Sequence, residues 1–80
     1  MNEIRDPSPA VGRAMRILEA LEASGGAPQS LSDIARTVGI AKSSASNICA
    51  ALERERMIHR AGGGYRLGLR TAELGGAFAA

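Results

Sequence analysis

The sequence predicts a small, mainly helical domain: three helices, then a two-stranded hairpin, then the start of a fourth helix. Three observations carry this. Apolar residues recur at spacings of three and four through residues 11–21, 31–38 and 45–52. Two short extended runs flank a glycine-rich stretch at residues 61–64. Serine–proline, glycine and glycine–glycine signals punctuate the boundaries between them. Eighty residues suit one domain. Of the 36 apolar residues 15 are alanine, and Tyr65 and Phe78 are the only aromatics. A chain of this size buries roughly 60% of its unfolded surface, so the core is expected to be thin and helped by oligomerisation or by a second domain.

Residues 1–7 are polar, end at Pro7 and are expected to form a loose arm. Ser8 before Pro9 is a helix start, a hydroxyl cap followed by a proline whose missing N–H costs nothing there. Val11, Ala14, Met15, Leu18 and Leu21 then share one face, which Ile17 widens, and Gly25-Gly26 should stop the helix near Ser24. Ser30 restarts the pattern, with Asp33 three residues on as a variant capping box. Leu31, Ile34, Ala35 and Val38 form the second stripe, Gly39 permits the turn, and Ile40 tucks inward. The third helix is expected over 41–56, with Ala45, Ile48, Cys49 and Leu52 facing in. Residues 57–60 and 65–67 read as the strands of a hairpin. From Leu69 the chain turns helical again, although Gly75-Gly76 weakens that helix by roughly 1 kcal/mol per glycine.

Residues 30–53 therefore read as a helix-turn-helix, and the hairpin at 57–67 as its wing. Charge agrees with a polyanionic partner. The net charge of +2 conceals a net −2 over residues 1–35 and a net +5 over residues 36–70; the basic half holds the helix-turn-helix. The third helix opens with Lys42, Ser43, Ser44, Ser46 and Asn47. Serine and asparagine are poor helix formers, so propensity does not account for them. In a DNA major groove asparagine can pair bidentately with adenine, serine can donate or accept, and lysine can reach guanine or phosphate. Arg60 and Arg66 flank the glycine loop and are candidates for phosphate or minor-groove contact. Arg36 is a phosphate candidate, as are the backbone N–H groups around Ser30, Leu31 and Ser32.

Other chemistries lack their residues. Cys49 is the single cysteine and reads as a small buried residue rather than a reactive thiol. His59 stands alone, reading as a surface strand residue. No paired cysteine or histidine suggests zinc, and neither a nucleophile elbow nor a phosphate loop is present. The glycines at 62–64 open no helix, so they do not read as a phosphate cradle. No cofactor, metal or enzymatic activity is expected. With no apolar run near 18 residues and no leader, the chain reads as cytoplasmic and free of membrane contact.

Three segments in register, RAMRILEAL (13–21), LSDIARTVGIAKSSASNICAAL (31–52) and YRLGLRTAELG (65–75), resemble the N-terminal winged helix-turn-helix domain of the IclR family of bacterial transcriptional regulators. The resemblance covers residues 8–76, with the domain proper at 8–68 and a linker helix beginning at 69–80. It implies sequence-specific binding to a double-stranded DNA operator by a dimer. It also implies a larger C-terminal domain that binds a small-molecule effector and is not contained in these 80 residues. Arg13, Ile17 and Leu21 of the first helix and Leu74 and Phe78 of the last are the expected dimer surfaces. The sequence departs from the family pattern at Ala41, Ala45 and Asn47, where proline, a β-branched residue and arginine are common. Asn47 for arginine removes a charge and a fork of donors, and so changes which base could be read. The alternative reading is a winged helix used for protein–protein contact, with specific DNA binding lost.

Overall fold

The computed structural model describes residues 6–79; most of the expected N-terminal arm, residues 1–5, lies outside them. Six elements follow in order: α1 (Pro9–Ala23), α2 (Leu31–Val38), α3 (Lys42–Arg54), β1 (Ile58–Ala61), β2 (Gly64–Leu67) and α4 (Leu69–Ala79).

Helix α1 starts with Pro9 at its first position, but the Ser8 hydroxyl makes no capping bond. The Ser8 carbonyl instead accepts from the N–H groups of Val11 and Gly12, at 3.1 and 3.2 Å. The Asp6 carboxylate takes the Ser8 N–H at 3.0 Å. The buried face of α1 is also rotated from the expected one. Ile17 and Leu21 are buried, whereas Val11 is 60% and Met15 47% exposed. Two overlapping stripes exist on this helix, and the docking of α2 and the hairpin selects the one through Ile17 and Leu21. Both side chains fill this chain's own core, so the expectation that they face a second copy is corrected. Of the α1 residues expected at a dimer surface, Arg13 remains exposed.

Helix α2 is capped as its sequence requires. The Ser30 Oγ accepts from the Asp33 N–H at 3.1 Å. Asp33 does not complete the reciprocal box, because its carboxylate accepts from Arg36 on the next turn. Gly39 sits at φ 79°, ψ 35°, a left-handed conformation that glycine adopts without a Cβ clash. Its N–H and that of Ile40 both bond the Ala35 carbonyl, at 2.9 and 3.0 Å. This closes α2 and aims the chain into α3.

Strands β1 and β2 pair antiparallel, with Ile58 opposite Leu67, His59 opposite Arg66, Arg60 opposite Tyr65 and Ala61 opposite Gly64. The turn is two residues long, tighter than the expected four-residue loop Ala61-Gly62-Gly63-Gly64. Gly62 and Gly63 have φ 52° and 79°, the sign a type I′ hairpin turn needs at both central positions. A single bridge adds Gln29 to the outer side of β2: Tyr65 N–H bonds the Gln29 carbonyl at 2.8 Å, and Gln29 N–H the Tyr65 carbonyl at 3.0 Å. The connector between α1 and α2 thereby fastens the wing to the helices.

One core joins these pieces. Ile17 and Leu21 from α1, Ile34 from α2, Cys49 from α3, and Ile58 and Tyr65 from the hairpin bury one another, with Leu18, Leu31, Val38, Ile40, Ile48, Leu52 and Leu67 packed around them. Ala45 has no exposed surface, so a small residue brings the start of α3 close to its neighbours. No residue of α4 is buried.

Candidate nucleic-acid interface

Helix α3 places its polar side chains by simple periodicity. Ala45 and Cys49 turn inward, which turns Lys42, Ser43, Ser46 and Asn47 outward, and all four are exposed. Ser44 is half-buried, at the edge of this face. Ser43, Asn47, Ala50 and Arg54 follow at i, i+4, i+7 and i+11, and all four are exposed, so they form one row along the helix. Arg54 was not among the expected contacts. Its place in the same row as Ser43 and Asn47 is the signal that could have found it.

The two flanks of that row differ. Ser46 faces the wing across a crevice of about 400 Å³, lined also by Leu31, Arg60, Tyr65 and the turn glycines. Asn47 faces α1 beside a shallow apolar groove formed with Val11, Ala14, Ile48 and Ala51. The structure therefore divides a cluster that looks uniform in sequence.

The wing arginines are divided as well. Arg60 pairs with Tyr65 across the ladder and lies on the face toward α3, where its Nε is 3.5 Å from the Glu53 carboxylate. Arg66, paired with His59, lies on the opposite face and reaches toward Gly26 in the connector after α1. The two arginines flank the turn in sequence but serve opposite sides of the hairpin. Arg36 is 76% exposed and bonded to Asp33; so exposed a pair contributes little to stability, and the guanidinium stays accessible from solvent. The Ser30 hydroxyl already accepts the cap bond, so what the start of α2 offers a phosphate is the backbone N–H of Leu31 and of exposed Ser32.

Cys49 is buried, and burial, with the nearby Glu53 charge adding to it, raises the pKa of its thiol. It thus packs as a neutral side chain. Among the described residues no group of three His, Cys, Asp or Glu could hold a metal ion. Likewise no helix among them is long and apolar enough to cross a membrane.

Helices α1 to α3, the left-handed turn at Gly39 and the hairpin fastened through Gln29 define a winged helix-turn-helix domain. The IclR helix-turn-helix domain model matches residues 10–62. The chain belongs to that family, a family of transcriptional regulators. Among solved structures it is similar to an IclR transcriptional regulator from Alicyclobacillus acidocaldarius. That match has 28% identity and a TM-score of 0.86 over 92% of this chain and 30% of that one. An IclR homolog from Microbacterium sp. strain HM58-2 is similar at 27% identity and a TM-score of 0.78, over 88% of this chain and 29% of that one. The chain thus spans less than a third of the length of these structures. No curated protein matches it.

Proposed function

We propose that the chain binds double-stranded DNA sequence-specifically, as the operator-binding part of a bacterial transcriptional regulator working in the cytoplasm. The observation that carries this is the exposed polar face of α3, Lys42, Ser43, Ser46 and Asn47, set in the half of the chain with net charge +5. In this reading α3 enters the major groove, where Asn47 and the serines meet base edges and Lys42 a base or phosphate. Ser44 supports the same row from its edge. Arg60 and Arg66 meet the backbone or minor groove on either side of the wing, and Arg36 with the start of α2 holds a phosphate. The work is binding, with no catalytic step. A two-fold dimer would set two α3 helices on half-sites roughly 34–36 Å apart. Leu74 is 48% and Phe78 94% exposed, and they, with Arg13 on α1, are the surfaces offered to the second copy. A small-molecule effector enters only through a separate C-terminal domain of a full regulator.

The test is a selection of bound fragments from random duplex, followed by titration of the selected duplex at several salt concentrations. A binder that neutralises several phosphates loses affinity steeply between about 50 and 200 mM salt. A selected duplex that binds no tighter than random duplex would reject the operator-binding function and favour a winged helix used for protein–protein contact.

A further inference from the structure

Arg60 is held from two sides. Its Cζ lies 5.3 Å from the centroid of the Tyr65 ring, and its Nε lies 3.5 Å from Glu53 Oε1 in the last turn of α3. The Tyr65 platform is itself fixed, because the residue is buried and its backbone bonds Gln29 in both directions. Arg60 nonetheless keeps a side chain that is 73% exposed. With Nε turned to Glu53, the guanidinium leaves its two Nη groups as a fork of donors. Arg60 lines the crevice that separates Ser46 on α3 from the wing turn.

Glu53 is out of place on charge grounds. It and Glu55 are the only acids between residues 36 and 70, and a carboxylate beside a DNA path repels phosphate. We propose that Glu53 is a positioning residue for DNA binding. With the Tyr65 ring, its carboxylate orients Arg60 so that both Nη groups face a phosphate passing between α3 and the wing. This rests on the DNA-binding function proposed above. Pre-orienting an arginine removes the ordering cost that a free side chain bears on binding.

Simple charge and positioning predict opposite signs, and the experiment reads the sign. The 80-residue chain is titrated, at one fixed salt concentration, with the duplex that it selects from a random pool. Glu53→Gln removes a negative charge, yet is expected to weaken binding about two- to tenfold, the ordering cost of one long side chain. Glu53→Asp keeps the charge but withdraws it by one methylene, and weakens binding as well. In an Arg60→Gln background the Glu53→Gln change no longer weakens binding. Thermal unfolding of the variants stays close to the parent, because an exposed ion pair contributes little to stability. Tighter binding by Glu53→Gln, wild-type binding by Glu53→Asp, or an equal loss with and without Arg60 would each overturn the positioning role. A parent chain that selects no duplex at all would sink the DNA-binding function, and the positioning role with it.

Discussion

At the end of α3 the backbone turns left-handed at a residue that is not glycine. Arg56 has φ 63°. The Met57 N–H bonds the Leu52 carbonyl at 2.9 Å and the Arg56 N–H the Glu53 carbonyl at 3.0 Å, the bond pair of a Schellman cap. That cap usually holds glycine, since a Cβ there costs about 1–2 kcal/mol, partly offset by the greater freedom of unfolded glycine. Arg56→Gly should therefore stabilise the fold by up to about 1 kcal/mol, read as a higher urea midpoint; a lower midpoint would show that the arginine side chain itself stabilises the fold by more than its backbone strain costs. Single side chains also separate reading from holding. Asn47→Ala should cost about 1–3 kcal/mol on a selected duplex and relax the preference at one base pair. Arg66→Ala should weaken selected and random duplexes alike. Equal losses on both duplexes for Asn47→Ala would remove its reading role. The polar residues of α3 were legible in sequence because helical spacing alone turns them outward. The different neighbours of Ser46 and Asn47, and the opposite faces of Arg60 and Arg66, were not, since both depend on where other elements dock.

Among the elements, α2 was the most legible, because its signals are local. Ser30 at the cap, a stripe at spacings of three and four and Gly39 at the exit each act within one turn of the chain. The wing was legible as a hairpin but not in its anchoring, which joins residues 36 apart in sequence, Gln29 and Tyr65. The anchoring explains Gly64. A Cβ there would lie 2.4 Å from the Gln29 carbonyl oxygen and 2.6 Å from its carbon, both backbone atoms that cannot rotate away. Gly64→Ala should destabilise by about 1–3 kcal/mol, the range for an overpacked site, and loosen the wing. Gly63→Ala is the control. It has open space but φ 79°, so it should lose only about 1 kcal/mol of left-handed strain. Urea unfolding of the two variants decides; a Gly64→Ala chain as stable as the Gly63→Ala chain would deny the bridge its role.

The molecule as a whole is more extended than its length requires. Its radius of gyration is 13.4 Å, against about 12 Å for a compact domain of this size. Helix α4 buries no residue and carries Leu69 and Phe78 at 68% and 94% exposure. Eleven residues with two glycines inside make a marginal helix in water. Local support comes from the Thr71 hydroxyl on the Gly68 carbonyl at 2.7 Å and the Arg70–Glu73 pair at 3.2 Å. If a second copy covers the apolar side, each buried Phe78 contributes about 2 kcal/mol, counted twice in a two-fold dimer. Phe78→Ser should then raise the dimer dissociation constant on the order of a thousandfold while leaving the monomer folded. Sedimentation equilibrium reads this directly, and an unchanged constant would place the dimer contact elsewhere.

The sequence by itself determined the helices, the turn at Gly39, the presence of a wing and the polar row of α3. Each depends on periodicity, caps and turn chemistry, which act over a few residues. Only the tertiary structure decided which of two apolar stripes of α1 is core, and so that Ile17 and Leu21 face inward. It also decided that Gln29 fastens the wing, that Arg60 and Arg66 serve opposite faces, and that Glu53 on α3 meets Arg60 on β1. Each of those outcomes depends on the relative placement of elements distant along the chain, which core packing sets and local pattern does not encode.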